Sequence, residues 1–590
     1  MEYKKLANLY DELNLTTKRL EKTYIISNFI KKIDQKDIEA FSLLVNGKIF
    51  PDWSDKKIGV AAKIVIKAIC KSTAVSEFEV EKQWKKIGDL GNVVEDLISK
   101  KKQSSLFPKI ITLNEIFKNL KKLSEISGNG SIDKKIDIIS EMLISSSPVE
   151  AKYIVRTVIE NMRVGIGQGT LRDAIIWAYF GEIIELIYDE EKKSLDLDDE
   201  KRDLYSEYQN KVQHALDLSN DFSLVINSIR ENGIKGLENI KLKPGKPINA
   251  MLFKKAENVL EAFKIVGSPA AFEYKYDGFR LQIHKTDKGI ELYTRRLENV
   301  TEQFPDIIPV IKNNIDGNEF ILDSEIVGYD PISKKYLPFQ KISQRIRRKY
   351  DIEEVSKNFP VEINIFDIMY LEGKDYLNVD FKKRREILEK IIKQENKKIV
   401  LTKMIVTDDE KEATLFYDES VKSGEEGIMA KALDGIYKPG SRVGYGVKIK
   451  PTLEPLDLVI VSAEWGEGKR KGWLSSFTLA CFDENKEDFL EIGKVSTGLK
   501  EIESEGVSFF KMTEVLKPFL KSKEGKNVEV EPRIIIEVAY EEIQKSINYS
   551  SGYALRFPRF LRLRDDKSLE EINNINDVEY LFNNQKNRGN

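Results

Sequence analysis

Hydrophobic and polar positions alternate differently in three parts of this chain. In residues 1–240 apolar residues recur at helical spacing among charged ones, with few turn dipeptides. In residues 241–451 short β-type runs alternate with helical runs, whereas in residues 452–590 the β runs are separated by glycine-rich turns. The pattern predicts an all-α region, an α+β region and a small antiparallel all-β barrel, with boundaries at the proline-containing stretches 244–247 and 451–457.

Two consecutive helices of the first region can be placed from their capping residues. Ser147, Pro148 and Glu150 form a capping box with proline at the first helical position, and this helix is predicted to end near 161–163. Thr170, with Asp173 after it, is predicted to begin the next helix. The sequence therefore predicts two helices joined by the short loop VGIGQG.

That loop is a candidate phosphate-binding feature because it contains Gly165, Gly167 and Gly169. A glycine-rich loop that opens a helix presents free backbone N–H groups and the positive end of the helix dipole. An ordinary turn between two helices is the alternative interpretation. Three arginines near the loop favour phosphate binding: Arg156, Arg163 and Arg172.

The stretch AFEYKYDGFRLQIH, residues 271–284, is predicted to be one half-buried strand with Lys275 inside it. Tyr274 and Tyr276 flank the lysine, so we expect it to lose part of its hydration. Desolvation lowers the pKa of a lysine and frees its lone pair for nucleophilic attack. The alternative is a surface hairpin with a solvated lysine and an Asp-Gly turn.

Five later stretches carry further charged residues. Lys448 and Lys450 are two positions apart and are expected to lie on one side of a strand. The segment 381–392 is predicted to be an amphipathic helix with a solvated basic face. The five stretches, in chain order, are YTRRLENV (293–300), FILDSEIVGYD (320–330), EEGIMAKAL (425–433), GYGVKIKP (444–451) and LRFPRFLRLRDDK (555–567).

Composition excludes several kinds of chemistry. The only cysteines are Cys70 and Cys481, which are too far apart in sequence for a zinc-ligand spacing, and the only histidines are His214 and His284. Catalysis is therefore expected to use lysine, arginine and carboxylates. A net charge of -2 requires that any nucleic acid be bound by local basic patches. No signal-peptide core or membrane-spanning run is present, so we expect an intracellular protein without a membrane partner.

Together, the lysine motif and the five stretches resemble the ATP-dependent DNA ligases of the archaeal and eukaryotic replicative type, in the nucleotidyltransferase superfamily. The resemblance implies a helical DNA-binding domain at 1–240, an adenylation domain at 241–451 and an OB-fold domain at 452–590. In that family the motif lysine attacks ATP and carries AMP, which passes to the 5′-phosphate of a nick before the 3′-hydroxyl displaces it. ATP, Mg²⁺ or Mn²⁺, nicked duplex DNA and a monomeric state are implied with it.

The resemblance also implies roles for individual residues. Lys275 is the expected nucleophile, Glu273 meets the adenine edge, Phe366 stacks on the base, and Arg564, Asp566 and Lys567 form the R-x-D-K pattern that orients pyrophosphate. Gly446 departs from relatives that often have an aromatic residue before the two lysines. The expected nucleotide-binding residues are Glu273, Arg280, Arg295, Glu325, Phe366, Arg442, Lys448, Lys450, Arg564 and Lys567. The expected metal ligands are Glu325 and Glu426, and the expected DNA contacts are Arg156, Arg163, Gly165, Gly167, Gly169 and Thr170.

A short segment in the first region resembles the sliding-clamp-binding sequence of archaeal ligases. Its candidate residues are Gln103, Leu106 and Phe107, followed by Pro108, which ends any helix. An exposed apolar pair on a loop can anchor in a pocket of a partner. The alternative is that Leu106 and Phe107 pack into the core of their own domain.

Two other functional classes are compatible with parts of the sequence. RNA ligases and mRNA capping guanylyltransferases share the lysine motif, but they usually lack a large helical domain before it. A non-catalytic DNA-binding scaffold would not need the full set of lysines and glutamates. An NAD-dependent bacterial-type ligase is expected to carry a four-cysteine zinc module, which two distant cysteines cannot form. Whether ADP or GTP can replace ATP is open.

Overall fold

A computed structural model of the chain describes residues 1–590 except 52, 55, 101–109, 129, 338–341, 343–344, 346–351, 452, 467–469, 471, 504–505, 522–526 and 586–590. The first region is helical, as predicted, with one small hairpin. The helices are α1 Tyr3–Asn14, α2 Arg19–Ile30, α3 Ile38–Leu44, α4 Ala62–Thr73, α5 Glu77–Ile87, α6 Leu90–Ser99, α7 Leu113–Glu125, α8 Ser131–Ile144, α9 Pro148–Val158, α10 Gln168–Phe180, α11 Asp199–Ser219 and α12 Phe222–Asn232, and the hairpin is β1 Ile187–Asp189 with β2 Ser194–Asp196.

The predicted capping box at the start of α9 is confirmed. The Ser147 and Glu150 side chains form the reciprocal box, with proline in the first turn. The helix ends at Val158, a few residues before the predicted end. The predicted start of the next helix is wrong: α10 begins at Gln168, because Gly167 has an extended backbone and acts as the N-cap without a side-chain bond, so Thr170 lies inside the first turn.

Two separate sheets and five α-helices make up the part of the central region that the structure describes. The first sheet has the order β11-β4-β12-β13-β3, and the second has the order β10-β8-β7-β5-β6, with β9 paired to β8. The strands are β3 Leu252–Ala256, β4 Ala270–Tyr274, β5 Phe279–Thr286, β6 Gly289–Thr294, β7 Phe320–Gly328, β8 Val361–Leu371, β9 Lys374–Asp375, β10 Ile399–Leu401, β11 Met404–Thr407, β12 Ile428–Ala432 and β13 Arg442–Ile449. The helices are α13 Val259–Val266, α14 Ile307–Asn314, α15 Ile352–Asn358, α16 Phe381–Ile391 and α17 Glu410–Lys422.

The predicted single strand across residues 271–284 is wrong. The chain forms β4 in the first sheet, leaves it after Tyr274 and enters β5 of the second sheet at Phe279. Lys275 therefore lies neither inside a strand nor in a surface hairpin, but on the connection between two sheets. Local alternation could not reveal this change, because both strands are largely buried and β5 continues the apolar–polar alternation beyond the lysine.

The C-terminal region is β-rich, as predicted, and every pairing between its described strands is antiparallel. One sheet has the order β16-β15-β14-β18-β21, with β17 paired to β14, and β19 pairs with β20 as a separate hairpin. Apolar side chains such as Leu458, Phe477 and Ile492 form a core of their own. The elements are β14 Leu456–Trp465, β15 Leu474–Asp483, β16 Asp488–Val495, α18 Phe509–Leu516, β17 Asn527–Glu529, β18 Ile535–Ala539, β19 Glu542–Lys545, β20 Tyr553–Arg556, β21 Arg559–Leu563 and α19 Ile575–Asn584.

The core of the helical region continues into the central region. Met369, Leu377 and Tyr437 of the central region are buried in the same apolar cluster as Leu216 and Val225 of the helical region. No helix among the described residues is long and apolar enough to cross a membrane. The candidate clamp-binding residues Gln103, Leu106 and Phe107 lie outside the described residues, so that assignment stays a prediction.

A cavity of about 470 Å³ lies where α10 and α11 face the central region, and Asp217 is buried in its wall. Gln213 donates a hydrogen bond to this carboxylate (2.8 Å). Burial raises the pKa of Asp217 from 3.8 to about 7, although Gln213 and Arg172 oppose the change. Between pH about 4 and about 7 Asp217 is therefore protonated in the folded protein but ionised in the unfolded chain. The contribution of Asp217 to the free energy of unfolding falls as the pH rises through that window.

Asp217→Asn is expected to raise the thermal unfolding midpoint at pH 8 and to raise it much less at pH 4.5. The full difference in unfolding free energy corresponds to about 4 kcal/mol, because asparagine does not have to be ionised at high pH. Calorimetric scans at the two pH values measure this difference. Asp203→Asn on the exposed face of α11 is the control, and an equal shift of the Asp217 variant at both pH values would contradict the prediction.

Candidate active site

The connection that carries Lys275 is held by backbone hydrogen bonds to the segment before β12. The Lys275 N–H donates to the carbonyl of Gly427 (2.8 Å), and the Glu426 N–H donates to the carbonyl of Lys275 (2.9 Å). The buried Glu425 carboxylate accepts a hydrogen bond from the Asp277 N–H (3.1 Å). These three hydrogen bonds join Lys275 and Asp277 to the consecutive residues 425–427 and leave the connection little freedom. The lysine is therefore presented in a defined position.

Glycine is required at position 278 by close approach. A Cβ at Gly278 would lie 2.5 Å from the carbonyl oxygen of Ile326 and 2.8 Å from the Cγ of Glu325. The connection can therefore pass directly against β7 only without a side chain at this position. This contact brings Glu325, the carboxylate of β7, next to the lysine connection.

Lys275 forms an ion pair with Glu426, whose carboxylate lies 2.7 Å from Nζ, and about a quarter of its side chain is exposed. Burial lowers the pKa of Lys275, but the carboxylates of Glu426, Glu325 and Asp277 outweigh burial, so the pKa lies above its ordinary value. The expected lowering of the lysine pKa is therefore wrong. The flanking tyrosines were visible in the sequence, whereas the three carboxylates come from the fold.

The pair Lys448 and Lys450 lies beside Lys275, as the family resemblance implies. Lys450 Nζ is 2.9 Å from the Glu426 carboxylate. The pKa of Lys448 is lowered by burial and by the neighbouring charges of Lys450 and Lys275. The Glu426 carboxylate thus pairs with two lysines at once. Burial alone would raise its pKa, but Lys275 and Lys450 hold that pKa well below the ordinary range. Three lysines and one shared carboxylate form a concentrated positive site.

Glu325 differs electrostatically from Glu426. Burial raises the pKa of Glu325 to about 8, although Lys275 and Arg280 oppose the rise, and the charge of Glu426 adds to it. Without a bound cation Glu325 is therefore protonated near neutral pH, and a magnesium ion bound beside it would favour the ionised carboxylate. Magnesium is usually held by one or two carboxylates together with substrate phosphates and water. Among the described residues, no cluster of three or more His, Cys, Asp or Glu side chains could hold a metal by itself. The neighbouring carboxylates of Glu325 and Glu426 instead fit a magnesium ion that also binds a substrate phosphate.

A second group of buried charges surrounds Phe366, the residue expected to stack on a base. Lys431 Nζ lies 5.2 Å and the Arg280 guanidinium 5.3 Å from the centre of its ring. Glu273 is almost fully buried and binds Lys431 (2.5 Å) and Arg385 (3.5 Å). The carboxylate is thereby kept available as a hydrogen-bond acceptor, which suits an amino group on a base edge.

The prediction of a solvated basic face on α16 is wrong for its two arginines. Arg384 is buried and binds the Asp367 carboxylate (2.7 Å), while Arg385 is buried against Glu273. The amphipathic pattern reports which positions are apolar, but it cannot show that carboxylates on the neighbouring sheet draw arginines inward. Arg384 and Arg385 are functional candidates that lie outside the sequence motifs around Lys275.

The glycine at position 446 has a structural explanation. A Cβ there would lie 2.2 Å from the Cε1 atom of Phe253, so the ring of this β3 residue occupies the space beside β13. An aromatic ring from the adjacent strand thus fills the place that a side chain at position 446 would occupy. This partner could not be identified from the sequence, because β3 and β13 are paired across almost the whole central region.

Three of the expected nucleotide-binding residues lie apart from Lys275. Arg564 binds the Asp457 carboxylate (2.7 Å), and Lys567 binds it as well (2.8 Å), so the R-x-D-K pattern is held within the C-terminal region. That region instead presents Glu541, 3.4 Å from Lys450 Nζ. Arg442 begins β13 at an exposed position, roughly 15–20 Å along the strand from Lys448.

The candidate DNA-binding residues divide into two groups. Arg163 is about half exposed, and Gly165 and Gly167 are exposed beside it. Arg156 is buried and binds Asp89 (2.8 Å), so its assignment as a DNA contact is wrong: contact with DNA would require breaking a buried ion pair. The side chain of Thr170 is buried within α10, and Gly169 is half-buried.

Arg295, an expected nucleotide-binding residue, is exposed at the end of β6. It lines the cavity that also contains Arg172.

Three family models match this chain in consecutive ranges. The model for the DNA ligase N terminus matches residues 2–176. The model for the ATP dependent DNA ligase domain matches residues 250–450, and the model for the ATP dependent DNA ligase C terminal region matches residues 470–567. The helical, central and β-rich regions each have a counterpart among the three.

Curated relatives are similar to this chain over nearly its full length. A DNA ligase of Nanoarchaeum equitans is 45% identical and a DNA ligase of Thermococcus fumicolans is 39% identical; the alignments cover 99% of this chain in both cases and 99% and 98% of the relatives. The solved structure described as Pmar-Lig_PreS3 has a TM-score of 0.55 at 17% identity, covering 95% of this chain and 99% of that one. This last similarity concerns the fold alone.

Proposed function

The chain belongs to the ATP-dependent DNA ligase family, and from that premise we propose that it seals nicks in duplex DNA through a lysine–AMP intermediate. The observation that carries the mechanism is the position of Lys275, fixed between two sheets and surrounded by Glu426, Lys448 and Lys450. A singly nicked DNA duplex with ATP is the direct test. Sealing of a nicked RNA duplex but not of the DNA would favour an RNA ligase.

In the first step Lys275 Nζ forms a bond to the α-phosphorus of ATP, and the bond from that phosphorus to the bridging oxygen of pyrophosphate breaks. The ammonium must lose a proton before attack, and the nearest carboxylate is Glu426. Lys448 and Lys450 are placed to neutralise the charge that develops on the phosphate oxygens. Glu273 and Phe366 would bind the adenine, which supports ATP as the nucleotide.

In the second step an oxygen of the 5′-phosphate at the nick attacks the AMP phosphorus, and Lys275 leaves with its electron pair. In the third step the 3′-hydroxyl attacks the 5′-phosphorus, loses its proton and expels AMP. Arg295, beside the lysine cluster, is the proposed contact for the nick phosphate. Mg²⁺ or Mn²⁺, held by Glu325 and Glu426, would supply positive charge to the phosphate oxygens.

The proposed domain boundaries are 1–240, 241–451 and 452–590, with the last as an OB-fold and the protein as a monomer. Asp457 holds Arg564 and Lys567 within the C-terminal domain, apart from Lys275. These cations could therefore orient pyrophosphate only after that domain rotates toward the nucleotide. The contact between Glu541 and Lys450 would break in that movement. The C-terminal domain would then help to enclose the duplex.

Arg163→Ala is expected to weaken binding of nicked DNA and to reduce the salt dependence of binding. Loss of one phosphate contact lowers the slope of log affinity against log salt by about 0.9. Fluorescence anisotropy over a salt titration measures the slope, while self-adenylation should not change. Lys192→Ala, on the exposed turn of the β1–β2 hairpin, is the control. An unaltered slope for Arg163→Ala would remove this loop from the DNA surface.

The sliding clamp remains a proposed partner through Gln103, Leu106 and Phe107. Replacement of Leu106 and Phe107 by alanine is expected to abolish clamp binding while clamp-free ligation persists, since a short apolar anchor contributes to the partner pocket alone. Calorimetry with the cognate clamp, together with the unfolding midpoint, tests this. A much lower midpoint, or unchanged clamp binding, would assign both side chains to the core.

A further inference from the structure

An aromatic pocket of about 440 Å³ lies between α2, the end of α10 and the start of the β1–β2 hairpin. The rings of Tyr24 and Tyr188 stack with their centres 4.6 Å apart, and Trp177 lies 5.9 Å from Tyr188. The Tyr24 hydroxyl donates a hydrogen bond to Glu190 (2.7 Å), which holds this ring in place. The pocket is therefore built from three aromatic side chains that support one another.

The surroundings of the pocket combine negative charge with exposed aliphatic surface. Glu182 lies in its wall and Glu190 beside it, and neither forms an ion pair with any cation in the described part of the chain. Among the described residues that line the pocket, Lys31 is the one cation. Ile187, in the wall, is 63% exposed. Negative charge around π faces favours a cation, and the exposed isoleucine favours an aliphatic neighbour of that cation.

The position of the pocket separates it from the proposed DNA-binding loop. That loop precedes the first turn of α10, whereas the pocket lies at the last turn, about 20 Å away along the helix. Carboxylates at the rim would repel a phosphate backbone. We propose that this pocket is a docking site for a lysine or arginine side chain that a partner protein presents next to an aliphatic residue.

The probe is a fluorescein-labelled peptide of sequence GIKIG, with GIEIG as its matched counterpart. Fluorescence anisotropy with the full chain is expected to give saturable binding of GIKIG in roughly the millimolar range, and no binding of GIEIG. Tyr188→Leu keeps an apolar side chain but removes a π face, so it should weaken GIKIG binding about two- to fivefold. The double variant Glu182→Gln with Glu190→Gln should weaken it to a similar degree and reduce its salt dependence.

The control double variant, Glu410→Gln with Glu412→Gln in the exposed first turn of α17, makes the same change in net charge away from the pocket. It should leave GIKIG binding unchanged, and all variants should retain nick sealing and their unfolding midpoints. The proposal is overturned if GIKIG fails to bind, if GIEIG binds equally well, or if the α17 variant loses as much affinity as the pocket variants. Should Tyr188→Leu fail to fold, the glutamate variant decides.

Discussion

Lys275→Ala and Lys275→Arg are both expected to remain unlabelled when incubated with α-³²P-ATP and separated on a denaturing gel. Alanine has no nucleophile, and the guanidinium of arginine stays protonated, so neither can form the bond to the α-phosphorus. The loss should be at least about 10³-fold relative to the wild-type chain. Both variants should fold, because about a quarter of the lysine side chain is already exposed and its backbone bonds are unaffected.

A nick that already carries AMP on its 5′-phosphate separates this role from a general defect. The third step needs no attack by Lys275, so the alanine variant should still seal this substrate while it fails with ATP and an ordinary nick. Lys403→Ala, which removes a surface lysine paired with Glu419, is the matched control and should label normally. Label retained by Lys275→Ala would show that a different residue carries AMP.

Glu426→Ala is expected to lower the rate of self-adenylation by roughly 10²–10³-fold, the equivalent of several kcal/mol of lost charge stabilisation. The carboxylate positions Lys275 and Lys450 together and is the proposed ligand of the metal, so its removal affects both. Glu325→Ala should lose metal-dependent rate by a similar mechanism. Single-turnover labelling over a magnesium titration measures both variants.

Glu541→Ala is the informative comparison, because this carboxylate also contacts Lys450 but belongs to the C-terminal region. It should self-adenylate within about threefold of wild type, as expected for an exposed ion pair of small energy. If Glu325→Ala and Glu426→Ala seal nicks at wild-type speed at every magnesium concentration, the two glutamates are structural ion pairs. Equal losses in the Glu426 and Glu541 variants would instead indicate that lysine positioning dominates.

The order of the three regions and the motif residues around Lys275 could be predicted from the sequence, because each depends on local spacing. Period-two spacing predicted that Lys448 and Lys450 lie on one side of a strand, but their position beside Lys275 depends on the pairing of distant strands. The sheet change at Lys275 could not be predicted, since an alternating pattern does not reveal which strand each part of it pairs with. The same limit hid Phe253, which reaches Gly446 from a distant part of the chain.

Buried charges were the second kind of feature that the sequence did not reveal. Arg384 and Arg385 were predicted on a solvated helix face and Arg156 as a DNA contact, yet each is buried against a carboxylate from another element. The raised pKa of Lys275 has the same origin, because the responsible carboxylates are brought near by tertiary structure. Charge in a sequence indicates the available chemistry, whereas its protonation and partners depend on the fold.

The alternation of strands between the two central sheets has a consequence for the growing polypeptide on the ribosome. Lys275 is tied to the carbonyl of Gly427, and β3 pairs with β13. At translation rates of 5–20 residues per second, the roughly 150 residues between the lysine and its anchor take about 8–30 s to emerge. During that interval the nascent chain lacks Glu426, Lys448 and Lys450. If Lys275 reacts as proposed, an unfinished polypeptide is therefore expected not to react with ATP until the central region is complete.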